Sequence, residues 1–185
     1  ASPLLRNAAT IGGHLARRRY SDIVPLMLAL GAGVTLYEGA ERTLPLERYY
    51  AESPRRSRAI ITELQIPPAN HDTAAAFLKF TRTFFDFALL NCAVLLRSDL
   101  DGRVAECRIV VGETPALAAG VPAAEEILRD GTLNEAQIAV AAEAAVEGIS
   151  FGSDYRASAD HRRALCRAAV RRCLDEARHR LEEHR

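Results

Sequence analysis

The tightest constraint on this chain is a hairpin. Two apolar runs, Ala88–Leu96 and Val104–Val111, flank the tetrapeptide Asp99-Leu100-Asp101-Gly102. Asp-Gly supplies the backbone reversal that two adjacent strands need, so the runs are predicted to pair antiparallel. A further strand is predicted before them at Phe77–Thr81, and three helices after them, at Ala123–Arg129, Asn134–Glu147 and Ala159–Glu183. Asn134 suits an N-cap, and Gly131 and Gly148 suit helix ends. Along the last helix Leu165, Ala169, Cys173 and Leu174 share an inward face, with Arg and Glu turned outward. Strands followed by a run of helices make an α+β fold, not a βαβ alternation.

The chain before the hairpin reads differently. Residues 1–20 carry Pro3, Gly12 and Gly13 with little periodicity and are predicted to be a loop. A helix is predicted over 22–30, with Ile23, Leu26, Met27 and Leu30 on one face, Asp22 as its N-cap and Gly31 as its end. Two short strands, Val34–Tyr37 and Arg42–Leu44, surround a turn at Gly39-Ala40, and a third, Arg58–Ile66, stops at Pro67-Pro68. The polar stretch Ala69–Thr73 divides the chain into two predicted units, 1–68 and 74–185.

Composition excludes several classes. The 24 basic residues balance 24 acidic ones, which argues against a nucleic-acid partner. No apolar run is long enough to span a bilayer, and no secretory leader pattern is visible. Cys92, Cys107, Cys166 and Cys173 lack zinc or iron–sulfur spacing, so they are expected to be buried thiols in a reducing cytoplasm, and no metal ligands are assigned. No nucleophile elbow surrounds Thr10 or Ser21, and no residue is assigned as catalytic. Lys79 is the only lysine. The Gly12-Gly13 pair permits close approach of a ligand to the backbone, and serves an ordinary tight turn equally well.

Five ordered segments resemble the FAD-binding flavoprotein (medium) subunit or domain of molybdenum hydroxylases, the xanthine dehydrogenase and carbon monoxide dehydrogenase type. They are Arg6-Asn7-Ala8-Ala9-Thr10-Ile11-Gly12-Gly13 with Ser21-Asp22, then Glu63-Leu64-Gln65-Ile66-Pro67, then Phe77-Leu78-Lys79-Phe80-Thr81-Arg82 with Asp86 and Ala88. Val110-Val111-Gly112-Glu113-Thr114-Pro115 and Asp154-Tyr155-Arg156-Ala157-Ser158-Ala159 complete the set, the last similar to a closing D-x-R-[GA]-S-A-x-Y-R-x-x-L.

The resemblance implies a partial FAD-binding subdomain over 1–68 and, over 74–185, a flavoprotein C-terminal domain with a small antiparallel sheet packed by helices. It implies that Thr10, Ile11, Gly12, Gly13 and His14 form a glycine-rich loop around FAD. Asp22 would accept from a cofactor hydroxyl, Ile61 would make an apolar contact, and Lys79 would sit near the flavin. Without the cofactor, Asp22 is a helix cap, Ile61 a core residue and Lys79 a solvated strand residue. Arg82 with Asp86 reads as a structural ion pair, and Asp154 with Arg156 as fixing the entry to the last helix. His14 stands where the family usually has Asn, and Arg17-Arg18-Arg19 fills a spacer that is usually less charged.

The implied activity is electron transfer in a cytoplasmic oxidoreductase, from [2Fe-2S] clusters through FAD to an acceptor. The iron–sulfur and molybdenum cofactors would belong to partner subunits. The family's first glycine-rich loop has no counterpart here, so a separate chain carrying that part of the FAD site is also expected as a partner. The alternative is a truncated or degenerate domain with a structural or assembly role and no bound FAD.

Overall fold

The computed structural model describes residues 2–52, 58–83 and 85–183 of the chain. Two helices open it, α1 (Pro3–Ala8) and α2 (Ile11–Arg17), where the sequence predicts a loop. The reason is capping. Ser2 Oγ accepts from the Leu5 amide, and Thr10 Oγ1 accepts from the Gly13 amide at 3.0 Å. Each hydroxyl satisfies an amide that a first helical turn leaves without an intrahelical acceptor. Thr10, Ile11, Gly12, Gly13 and His14 are therefore a capped helical turn and not the glycine-rich loop expected.

Helix α3 (Ile23–Ala29) follows, capped differently from the prediction. Asp22 makes no side-chain cap bond; Ser21 Oγ accepts from the amides of Ile23 and Val24 at 3.2 and 3.3 Å. Gly31 ends the helix as expected, at φ 67°. The positive φ is what favours glycine there; a Cβ would meet only the Arg108 guanidinium, at the end of a flexible side chain.

Strands β1 (Gly33–Tyr37), β2 (Glu41–Pro45) and β3 (Ile60–Gln65) form an antiparallel sheet in the order β2-β1-β3, with helix α4 (Leu46–Ala51) between β2 and β3 in sequence. The sequence reading missed α4. Its C-terminal carbonyls are held by Arg18, which donates to Tyr49 O at 2.7 Å, Tyr50 O at 3.2 Å and Glu52 O at 3.3 Å. Arg18 also stacks on both tyrosine rings, so the middle residue of the Arg17-Arg18-Arg19 run is structural.

A second antiparallel sheet runs β4-β5-β6-β7, with β4 (Thr73–Phe80), β5 (Leu90–Ser98), β6 (Val104–Gly112) and the short β7 (Ala119–Gly120). The predicted hairpin is β5–β6, in register Cys92↔Val111 and Leu96↔Cys107 with an irregularity at Arg97/Ser98 beside the turn. Strand β4 starts four residues before the predicted Phe77. Helices α5 (Pro122–Leu128), α6 (Glu135–Glu147) and α7 (Ala159–Glu183) cover one face of this sheet, and Asn134 Oδ1 caps α6 through the Gln137 amide at 2.9 Å.

Strand alternation decides the layering. Leu90, Cys92, Val94 and Leu96 point to the helices and pack with Cys166, Ala169, Val170, Cys173 and Leu174. Ala93 and Val110 point the other way, into a second core with Val24, Met27, Leu28, Val34 and Leu36. Helix α3 thus lies between the two sheets. That placement corrects its predicted face: Val24 and Leu28 are buried, while Ile23, Leu26 and Leu30 are only partly so.

All four cysteines are buried and free. Burial pushes the Cys166 thiol up to about 12, which makes it a poor nucleophile. Helix α7 departs from its predicted pattern at one point: Arg162, expected outward, is fully buried.

Candidate cofactor-binding cleft

The structure brings five of the sequence-predicted site residues together. Thr10, Ile11, His14, Asp22 and Lys79 line one cleft of about 630 Å³. One wall comes from α1 and α2, through Leu5, Arg6 and Arg17; the opposite wall comes from Lys79 on β4 and from Phe85 and Phe87 beyond it. Leu5, Ile11, Phe85 and Phe87 are all exposed, so the cleft offers apolar surface with cations at its margins. Gly12 and Gly13 lie in the turn that carries Ile11 and His14 but are not among the lining residues. Neither is Ile61, which sits on β3 opposite Leu36 and packs against the core beneath α3. A second cleft, about 520 Å³ between α4 and β6, is lined by Glu47, Glu106, Arg108, Glu125 and Arg129 and holds none of the predicted residues.

Asp22 is freed from capping and used elsewhere. Lys79 Nζ donates to Asp22 Oδ2 at 2.6 Å, and Asn91 Nδ2 donates to Asp22 Oδ1 at 3.0 Å and to Ser21 O at 3.2 Å. Lys79 and Asn91 are cross-strand partners on β4 and β5, which is why both reach one carboxylate. The ion pair is partly exposed, with 22% and 39% of the two side chains accessible, so it contributes about 0–1 kcal/mol to stability. Its consequence is positional: it fixes where a carboxylate and an ammonium stand at the cleft wall.

Behind the cleft lies a buried charge network. Glu113 Oε1 accepts from the Ser21 amide at 3.1 Å, and Glu113 Oε2 accepts from Arg156 Nη1 at 3.2 Å. Arg156 also donates to Ala88 O at 2.9 Å and to Asp154, and its guanidinium lies 4.8 Å from the Tyr20 ring centroid. Tyr20 in turn packs on Phe87. Arg162 donates to Asp154 Oδ1 at 2.7 Å and to the carbonyls of Leu89, Gly152 and Ala157. Burial pushes the Glu113 carboxyl up, opposed by Arg156 and the Ser21 amide. At Asp154 burial acts upward too, but the Arg162 hydrogen bond and those from Arg156 outweigh it and hold the carboxyl well below the usual carboxylate range.

The expected structural roles of Arg82 with Asp86 and of Asp154 with Arg156 are those observed; the first pair meets at 3.1 Å. Sequence reasoning missed Asn91, Glu113, Tyr20 and Arg162. Asn91 had one cue, a polar residue inside an apolar strand. Arg162 had a stronger one, since it coincides with the second arginine of the closing motif.

The family described as CO dehydrogenase flavoprotein C-terminal domain matches residues 75–177, and the FAD binding domain in molybdopterin dehydrogenase matches residues 1–69. The chain belongs to the molybdenum hydroxylase flavoprotein family. Among curated relatives in this family, the 6-hydroxypseudooxynicotine dehydrogenase complex subunit alpha of Paenarthrobacter nicotinovorans is 35% identical over 97% of this chain and 62% of its own length. The carbon monoxide dehydrogenase medium chain of Hydrogenophaga pseudoflava is 27% identical over 96% of this chain and 63% of its own length. The chain thus spans less than two thirds of the flavoprotein subunits it matches. Among solved structures, carbon monoxide dehydrogenase from Hydrogenophaga pseudoflava, in a form lacking the Mo-pyranopterin moiety, superposes with a TM-score of 0.91 at 28% identity, covering 97% of this chain and 64% of that one. Quinoline 2-oxidoreductase from Pseudomonas putida 86 superposes with a TM-score of 0.84 at 28% identity.

Proposed function

We propose that this chain is the FAD-binding electron-transfer component of a molybdenum-containing dehydrogenase or hydroxylase. It would work beside an iron–sulfur subunit and a molybdenum subunit in the cytoplasm, with its two units meeting near 69–73. One observation carries the reading: Thr10, His14 and Asp22 converge with Lys79, 57 positions beyond Asp22, on a single apolar-walled cleft.

The residues present fit FAD. A Cβ added at Gly12 meets nothing within 4 Å, so packing within the chain does not require glycine there. Open space over a backbone turn is what a closely approaching cofactor needs. Ile11, Phe85 and Phe87 suit a flat aromatic ring system, Asp22 suits a hydroxyl donor, and Arg6, Arg17 and Lys79 suit phosphate or electron-rich edges. Bound FAD supplies the redox chemistry. The chain's residues bind and orient it, and the Tyr20–Phe87 wall excludes water from one side.

The test is to purify the chain with its co-expressed partners and record the flavin absorbance band. A stoichiometric flavin supports the reading, and a colourless, active complex refutes it. Lys79→Ala is expected to change flavin affinity or reoxidation rate, because it removes the ammonium at the wall; an unchanged FAD content and rate would make Lys79 a bystander.

A further inference from the structure

Asn91 is the one fully buried amide side chain on β5, set between Leu90 and Cys92. Strand alternation turns it away from the helices that those two neighbours pack against, toward the start of α3. Its Nδ2 donates to Ser21 O at 3.2 Å and to Asp22 Oδ1 at 3.0 Å, while its Oδ1 finds no donor among the described residues. The amide cannot be turned the other way. A backbone carbonyl only accepts, so Oδ1 in the place of Nδ2 would oppose two acceptors at Ser21. Oδ1 rests instead against Gly112, its cross-strand neighbour on β6, where a side chain would have no room. Packing alone does not call for a polar residue at such a position, since a buried acceptor without a donor is destabilising. The two donated bonds account for it.

Those bonds decide what Asp22 does. An aspartate just before a helix ordinarily turns its carboxylate back onto the first-turn amides. Here Ser21 Oγ takes the amides of Ile23 and Val24. Asn91 draws the Asp22 carboxylate sideways onto β5, where Lys79 reaches its other oxygen from β4. Ser21 is held from the same side, its amide by Glu113 and its carbonyl by Asn91.

We propose that Asn91 is a positioning residue of the cofactor cleft. It is not part of the cleft lining and acts through Asp22, tying one carboxylate oxygen to the sheet so that Asp22 stands on the wall beside Lys79. Its neutrality is part of the role. Lys79 is the cross-strand partner of residue 91, and a carboxylate there would draw the ammonium away from Asp22. The nature of the cleft's occupant rests on the FAD reading above; the placing of Asp22 does not.

The experiment compares Asn91→Leu, Asp22→Asn and the double variant with wild type, with Asn91→Ala as the smaller replacement should leucine prevent assembly. In the flavin-free full-length chain, the ¹³C carboxylate signal of Asp22, assigned by its loss in Asp22→Asn, is expected to move in Asn91→Leu. An unmoved signal overturns the proposal. In the complex purified with its co-expressed partners, Asn91→Leu is expected to weaken flavin retention roughly five- to tenfold, the worth of about one hydrogen bond. Added to Asp22→Asn it should weaken retention no further, because a residue acting through Asp22 has nothing left to act on. Losses that simply add, or retention equal to wild type, overturn the proposal. Thermal midpoints separate this from a general loss of structure: Asn91→Leu removes an unpartnered oxygen together with two donors and should melt within about 4 °C of wild type. A fall in midpoint large enough to account for the lost flavin makes Asn91 structural only. A wild-type complex without flavin overturns the FAD reading and the cofactor role of Asn91 together, and the carboxylate signal then measures whether Asn91 places Asp22.

Discussion

Replacing Arg162 by Met tests the buried network most directly. Methionine fills similar space without a charge or a donor, so the change isolates the polar contacts. Arg162 is fully buried and donates to Leu89 O at 3.0 Å, Gly152 O and Ala157 O at 2.8 Å each, and Asp154 Oδ1 at 2.7 Å. Removing one partner of a buried ion pair costs about 3–5 kcal/mol, and each carbonyl left without a donor adds up to ~1–3 kcal/mol. Asp154 keeps Arg156, and water reaching Gly152 and Ala157 offsets part of the loss. The expected destabilisation is therefore about 3–5 kcal/mol, against a typical total of ~5–15 kcal/mol. That corresponds to a fall in Tm of roughly 6–20 °C. Urea unfolding followed by far-UV circular dichroism reads it as a lower midpoint with unchanged slope. Because Leu89 O anchors the segment that carries Phe87, flavin retention should fall as well. A loss below about 1 kcal/mol would refute the claim that this arginine ties α7 to the cleft wall. Arg162→Met combined with Asp154→Asn should be distinctly non-additive, since the two share one network.

Three further outcomes are expected. Gly12→Ala should leave thermal stability unchanged or raise it by about 0.5–1 kcal/mol, because an added methyl meets nothing within 4 Å and alanine favours helix; flavin retention, measured by absorbance after gel filtration, should fall. Gly112→Ala should destabilise by about 1–3 kcal/mol, because its Cβ would stand 2.4 Å from Asn91 Oδ1 and 3.0 Å from Pro25 Cγ; a melting curve identical to wild type would contradict that packing. Asp154 has a depressed folded-state pKa, so its contribution is complete above the ordinary carboxylate value of ~3.9 and is lost as pH falls below it; the urea midpoint should drop on acidification through that range, and less steeply in Asp154→Asn.

The sequence showed most of the fold because its strongest signals are local. The Asp101-Gly102 turn, the Asn134 cap and the stop at Gly31 each act within a few residues. The opening helices were missed because they are short and their signal is a single hydroxyl each, Ser2 and Thr10, while adjacent glycines argue for a turn. Helix α4 was missed because it leans on Arg18, some thirty residues earlier. In the site, Thr10, Ile11, His14, Asp22 and Lys79 were nominated through resemblance, and the structure places them on one cleft. What holds them was not legible. The Asp22 carboxylate is set by Asn91 and Lys79, and the Ser21 turn by Glu113. These are pairings across strands and between units, with no periodicity in the chain to announce them.

Ala93 and Val110 lie on strands of one sheet, β5 and β6, and contribute to the core of the other half. This has a consequence for recombining such chains. A chimaera joined at 69–73, taking its second half from a relative, would keep every strand and helix intact in sequence. In space it would set one parent's α3 against the other parent's β5 and β6. The exchangeable module is therefore the second half together with α3, although α3 ends at Ala29, well before the junction.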